Sequence, residues 1–463
     1  MKKEEKIFDG ITNVDDELIE EAKNTKAKKA HFNWKNWTLL AACLVLIVGI
    51  GQLLFTNKNG NLIIEPTLPV TYPLAYAFDD YETRFTVGDE NPVDDQLIHC
   101  INDFAYDTCS LVLTKENKNT NYSPLSLYYA LALATSGAQD ETESELLDLL
   151  RMPDSESLGV QLGNLYRLLY FENDIGKLKI ANSIWMDNDV KGETIKFKES
   201  FVENAVNNFY ASSFTADFAD EDTAEAMSDW IYTNTEGTIS PDIELRDDQI
   251  LSIINTIYFY DEWVDRFEKN KTAKDTFYLS DGNEVKVDFM NMTNSSQLFS
   301  KGENFTRSSL GLKNSGEMIF ILPDEGFSPY QIIDSPEKIK EIFQGGSESI
   351  GDVIWKVPKF EFDSKLEMKD VLKKLGITSA FTEDADFSGM TDHIAFISNI
   401  LQGTYISIDE KGVEASAYTR IDYEGAALPQ DTAYMILDRP FIYGITSSNG
   451  VLLFVGICEN PME

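Results

Sequence analysis

A chain of 463 residues, 43% of them apolar and 28 of them Phe, can fill a large core, as one big domain or as several ordinary ones. Its formal charge of −39 at neutral pH opposes nucleic-acid phosphate and heparin-like polyanions, and no basic stripe beyond the N-terminal segment reverses that field. The four cysteines and three histidines fall in no CxxC or Cys/His ligand spacing, so no metal site and no cofactor are expected. Cys100 and Cys109 stand in a stretch with helical character, about 13 Å apart along such a helix, too far for a disulfide. His31 precedes an apolar run, and neither His99 nor His393 accompanies a Gly-x-Ser-x-Gly elbow. No Gly-rich phosphate loop follows a strand-like run. Hydrolase, kinase, NTPase and dinucleotide chemistry find no support, and the chain is not expected to be an enzyme.

Residues 37–55, WTLLAACLVLIVGIGQLLF, carry no charge and are apolar almost throughout. As a helix they span about 28 Å, close to the hydrocarbon thickness of a bilayer. Lys23, Lys26, Lys28, Lys29 and Lys35 precede the run and only Lys58 follows closely, which places the N-terminus in the cytoplasm and the rest outside the cell. A cleaved signal peptide and a lipidated Cys43 are competing readings. The long leader argues against the first. The apolar residues that continue beyond Cys43 argue against the second. The expected order is a cytoplasmic tail (1–36), a single-pass transmembrane helix (37–55), an extracytoplasmic tether (56–88) and one large ectodomain (89–463). Pro66, Pro69 and Pro73 keep the tether extended.

Along the ectodomain, Ser123 followed by Pro124 is a strong helix start, so 124–135 (PLSLYYALALAT) reads as a helix. Helices are also expected over 196–209 and 222–233. Strand-like runs follow at 177–186, 251–260, 317–323, 393–409 and 451–457. Helices dominate the first half and strands the second, the order of an α+β domain with large antiparallel sheets.

The order of short motifs resembles the serpin family over nearly all of residues 95–463. Asn121-Tyr122-Ser123-Pro124-Leu125-Ser126 is followed by Ser136-Gly137-Ala138 and Thr142, then by Ala181-Asn182-Ser183-Ile184-Trp185. Trp230 with Thr235-x-Gly237-x-Ile239 comes next, then Asn255-Thr256-Ile257-Tyr258-Phe259 with Trp263 and Phe267. Leu322-Pro323, Val357-Pro358-Lys359-Phe360, Leu375-Gly376-Ile377 with Phe381, and Asp386-Phe387-Ser388 continue the series. Asp438-x-Pro440-Phe441 and Phe454-x-Gly456 with Pro461 close it. The resemblance implies a serpin-like fold of large antiparallel and mixed β-sheets with about nine helices. It also implies a metastable native state with an exposed reactive-centre loop, here about 410–431, that later joins the main sheet.

The loop's own residues carry a matching pattern. Val413, Ala415, Ala417, Thr419, Ile421 and Tyr423 alternate with the nearly all-polar Glu414, Ser416, Tyr418, Arg420, Asp422 and Glu424. That alternation suits a half-buried strand, and an ordinary edge strand satisfies it as well as a strand not yet inserted. Alanine at 415 and 417 lets such a strand enter between neighbours without overpacking. By the resemblance, Glu410, Gly412, Val413, Ala415, Ala417 and Thr419 form the loop hinge. The scissile bond falls at Ala426-Ala427, with Gly425 and Leu428 as the neighbours to consider. Ser123, Ser126, Ser228 and Gln402 mark the region where the main sheet opens. Relatives often place Asn and His there, and motif order puts Ser228 and Gln402 in those positions.

The expected function is that of a single-turnover suicide substrate for serine proteases, by loop cleavage, acyl-enzyme trapping and loop insertion. A small residue ahead of the bond suits elastase-like or subtilisin-like enzymes, with cysteine proteases as a further class. The alternative is a non-inhibitory surface binding module of the same fold whose loop is only cleaved. The chain is expected to be a monomer on a bacterial cell surface, with the membrane as its other partner.

Overall fold

The computed structural model describes residues 64–114, 118–190, 192–246, 249–412 and 431–463. The expected tail, the transmembrane run and the first part of the tether lie outside these residues. Among the described residues no helix is long and apolar enough to cross a membrane.

Nine α-helices are present among the described residues: α1 (Tyr81–Glu90), α2 (Asp95–Val112), α3 (Pro124–Thr135), α4 (Asp140–Leu150), α5 (Ser155–Leu169), α6 (Glu199–Phe209), α7 (Glu221–Asn234), α8 (Pro336–Gln344) and α9 (Lys369–Lys374). Seven precede residue 235, and strands dominate the remainder of the chain, as the sequence pattern implied. In α3 every residue is buried, because its apolar residues run around the whole cylinder instead of along one stripe. It starts where Ser123-Pro124 predicts, the Ser123 hydroxyl accepting from the Ser126 N–H at 3.2 Å. Cys100 and Cys109 both sit on α2 as free thiols.

Among the described residues the main sheet has six strands: β1 (Phe171–Asn173), β2 (Gly176–Asp187), β3 (Ala211–Ala216), β4 (Leu251–Asp261), β5 (Phe360–Glu367) and β6 (Ile397–Ile408). Their order is β5-β6-β4-β2-β1, with β3 paired to the other end of β2. The β5/β6 and β4/β2 pairs are antiparallel, whereas β6/β4 is parallel. That parallel pair lies in the middle of the sheet, and its ladder is shorter than either of its strands.

Among the described residues the second sheet has nine strands, and its last is the edge strand β7 (Thr432–Ile436), parallel to Ser347–Pro358. Helix α3 bridges the two sheets, touching β4 on one side and strand Leu452–Cys458 on the other. Helix α7 covers a small separate core built from Trp185, Phe214, Met227, Ile231 and Ile254.

The tether expected over 56–88 is corrected from residue 64 onward. Thr67 N–H donates to the Ser213 carbonyl at 2.7 Å, and Val70 and Tyr72 pack against the core. Residues 81–90 are helix α1, capped by Asp80, whose carboxylate accepts from the Thr83 N–H at 3.0 Å. Residues 64–80 form no helix or strand, yet a chain without regular structure docks on a sheet edge as readily as it floats free.

Candidate functional site

The parallel ladder between β4 and β6 runs only from Leu251/Ile397 to Ile257/Thr404. Side chains reinforce it there. Gln402 stands opposite Asn255 in the register. Its amide accepts from Ser123 N–H at 3.0 Å and donates to Ser123 O at 2.8 Å. The Ser126 hydroxyl donates to Asn255 Oδ1, and Asn255 Nδ2 donates to Asn182 Oδ1 of β2 at 2.6 Å. Ser123 Oγ donates to Leu453 O of the other sheet at 2.7 Å, and Thr404 Oγ1 donates to Asn121 O at 2.9 Å. Gln402, Asn255, Ser123 and Ser126 are all buried. A polar cluster in such a place is stabilising only because its members satisfy one another. The N-terminus of α3 thus staples β6, β4 and β2 together at one level.

Beyond that level the two strands have no shared ladder. Residues 258–261 and 405–408 instead flank a small, partly open cleft, lined by Phe259, Trp263, Ile406, Ile408, Ile445 and Phe454 among others. At the rim, Asp261 accepts from the backbone N–H groups of Asn314, Ser315 and Glu262 and from Asn314 Nδ2. Burial pushes its carboxyl up to about 6, with these hydrogen bonds holding it back.

The chain leaves β6 over this cleft. Asp409–Gly412 form a turn docked on the segment after β4. Trp263 Nε1 donates to Asp409 O at 3.0 Å, Trp263 N–H to Lys411 O at 3.1 Å, and Phe267 N–H to Glu410 O at 3.0 Å. Gly412 has φ +91°, and a Cβ there would collide with the Trp263 backbone nitrogen, so only glycine fits. The buried Glu410 carboxylate accepts from Lys359 Nζ at 3.0 Å and from Thr272 Oγ1 at 2.8 Å. Burial raises its pKa, but these two bonds outweigh that and hold it below the usual carboxylate range. Asp431 then leads into β7 at the edge of the other sheet.

This geometry limits what the intervening segment can do chemically. A strand folding back after the turn at 409–412 runs antiparallel to β6. Since β4 is parallel to β6, such a strand is antiparallel to both. A strand placed between them would exchange one parallel ladder for two antiparallel ones.

The family model for the serpins, serine protease inhibitors, matches residues 99–461. This chain belongs to the serpin family. Alpha-1-antiproteinase 2 of Equus caballus is 28% identical over 82% of this chain and 92% of its own length. A serpin-like protein of Methanosarcina acetivorans is 28% identical over 78% of this chain and 87% of its own. Among solved structures, the thermophilic serpin tengpin in its native state superposes with a TM-score of 0.72 at 26% identity, covering 86% of this chain and all of that one. The serpin fold is therefore shown, with nine helices among the described residues and large mixed sheets. Membership supports serine protease inhibition in general, with serine proteases as partners in general, since family members are as a rule inhibitors and not enzymes.

The site residues expected from the sequence distribute as follows. Glu410 and Gly412 occupy the turn above the cleft, and Ser123, Ser126 and Gln402 lie in the polar cluster. Val413, Ala415, Ala417, Thr419, Gly425, Ala426, Ala427 and Leu428 lie outside the described residues. Ser228 is corrected: it sits on α7, where its hydroxyl donates to Pro241 O at 2.8 Å. Asn255 takes the position opposite Gln402 instead. It belonged to the quoted motif Asn255-Thr256-Ile257, and a polar residue amid an apolar strand was the available signal.

Proposed function

We propose that this serpin is a single-turnover inhibitor of serine proteases of the elastase-like or subtilisin-like type, acting from a single-pass membrane anchor on a bacterial cell surface. The half-open β4/β6 seam beneath the exit of the loop carries this reading. The protease serine attacks the carbonyl carbon of Ala426, the Ala426–Ala427 bond breaks, and the amine of Ala427 departs with a proton from the protease histidine. The new end, still esterified to the protease, is then free to follow residues 413 onward into the seam.

The driving force is assembled from ordinary terms. The strand gains ladder partners on both edges, and Val413, Ala415, Ala417, Thr419 and Ile421 are the residues of the set with an apolar face to bury. Each buried methylene contributes about 0.8 kcal/mol. The protease is drawn along with its acyl link, and a displacement of about 1 Å in its catalytic groups is enough to cost ~10²-fold in rate. Hydrolysis stalls and the pair stays covalent.

Mixing the protein with an elastase-like protease and running a denaturing gel tests this. A complex stable to SDS supports inhibition. Complete cleavage of the loop with undiminished protease activity overturns it and favours a binding module whose loop is merely a substrate. Peptide mapping of the released C-terminal fragment, expected to begin at Ala427, tests the bond.

A further inference from the structure

The arm at residues 64–94 touches three parts of the molecule in succession, and their relative movement is what strand insertion requires. For a strand to enter, β4 must part from β6. On the β4 side lie β2, β3 and the small core under α7. The arm begins there, with Ile64 packed against that core and Thr67 N–H bonded to Ser213 O on β3. It then crosses to the helices. The Tyr72 ring lies stacked among Tyr166 and Tyr170 at the end of α5 and Tyr210 between α6 and β3, with centroids 6.2–6.4 Å away. Lys179 Nζ of β2 stands 4.3 Å from its centroid. Finally, Pro92 O accepts from Asn164 Nδ2, and Asp94 pairs with Gln161, so the arm ends on the outer side of α5.

Helix α5 ties the frame on the other side of that movement to the moving strands, since its Tyr166 hydroxyl donates to Ile180 O of β2 at 2.8 Å. Its Leu162 carbonyl accepts from the Tyr129 hydroxyl of α3, and α3 is bonded through Ser123 to Leu453 of the second sheet. One joint between the frame and the moving strands is strained. Tyr210, the residue just before β3, has φ +49°, which is costly for a bulky side chain. Its ring stacks on Tyr166 at 4.1 Å, and Arg167 NH1 donates to its hydroxyl at 3.1 Å. The arm supports both of these contacts. Tyr72 covers the stacked pair, and Asn91 Oδ1 accepts from Arg167 Nε at 2.5 Å.

We propose that residues 64–94 are a strap that holds the main sheet closed, with Tyr72 as its central fastening, and that releasing it speeds entry of the loop strand. The proposal rests on the insertion reading given above. Physically, the strap adds contacts made in the closed state that must loosen before β3 and β2 shift against α5.

The test uses the full-length chain with Tyr72→Ala, and Tyr72→Phe as its control, since Phe keeps the ring. Each is incubated at fixed temperature and followed by two readouts: capacity to form SDS-stable complex, and appearance of a species with a raised thermal midpoint, which needs no protease. Loss of one stacked aromatic predicts conversion about tenfold faster for Tyr72→Ala, and within about twofold of wild type for Tyr72→Phe. A conversion rate unchanged in Tyr72→Ala overturns the strap. An equal acceleration by Leu146→Ala, a buried change on α4 away from the arm, overturns it too, because loss of stability alone then explains the effect. If Tyr72→Ala does not fold, Thr67→Pro, which removes the N–H bonded to Ser213, replaces it under the same criteria. Failure of the wild type to form complex, with strap-dependent conversion intact, refutes the inhibitory reading and leaves the strap standing.

Discussion

The two ends of the β4/β6 seam are built differently. At one end, Leu251–Ile257 and Ile397–Thr404 share a ladder reinforced by Gln402, Ser123, Ser126 and Asn255. At the other, residues 258–261 and 405–408 flank a mostly apolar cleft under the exit turn of the loop. The difference teaches how a sheet can stay closed and yet be ready to open. The closed end is locked by side chains borrowed from a helix N-terminus, because a parallel ladder alone is the weaker kind of pairing. The open end has no ladder to break, so on the proposed insertion an entering strand would start there and meet the lock only later.

The largest expected effect comes from a change that touches only the entering strand. Ala415→Arg places a charge where the strand must pass between β4 and β6, and burial of an unpaired charge is prohibitive. Complex with an elastase-like protease is expected to vanish on a denaturing gel while cleavage of the loop continues. The thermal midpoint of the uncleaved protein should not move, which separates the strand from the seam.

Next in size is Asn255→Ala at the closed end. It leaves Ser126 Oγ and Asn182 Oδ1 buried without their partner, at about 1–3 kcal/mol each. Urea unfolding is expected to show a lower midpoint with an unchanged slope. Gln402→Ala removes the two bonds to Ser123 and is expected to cost about 2 kcal/mol. Because Gln402 does not titrate, the inhibition rate is expected to show no ionisation near the ordinary histidine pKa of about 6.5 that this mutation abolishes. A loss of inhibition in Gln402→Ala no greater than in a surface control would remove the lock from the account.

The remaining prediction concerns the open end. Burial raises the Asp261 carboxyl to about 6 in the folded state, above its ordinary 3.8. The folded protein therefore binds this proton more tightly than the unfolded chain does. The stabilisation is complete below about pH 4 and is lost as the pH rises through about 6. The difference in unfolding free energy between wild type and Asp261→Asn is expected to vary between those two pH values and to be flat above. No variation across that window contradicts the assignment.

Much of this was legible in the residues. Ser123-Pro124 marked the start of α3 to the residue, and the apolar runs at 177–186, 251–260 and 317–323 are strands within about one residue of those bounds. The features that escaped are non-local. Asn255 and Gln402 face each other only through the parallel register of two strands far apart in sequence, so motif order pointed to Ser228 instead. The docking of 64–80 escaped for a similar reason. Its prolines report an extended backbone, but nothing local reports the tyrosines at the ends of α5 and α6 that receive Tyr72.

The central claim is that the segment after Gly412 becomes a strand between β4 and β6 once it is cut. A single cut in the loop by a protease that is not trapped, followed by thermal unfolding of the cut and uncut protein, tests it most directly. Insertion predicts a midpoint raised by about 10 °C or more in the cut form, from several kcal/mol of new burial and pairing. An equal or lower midpoint after cleavage would contradict it.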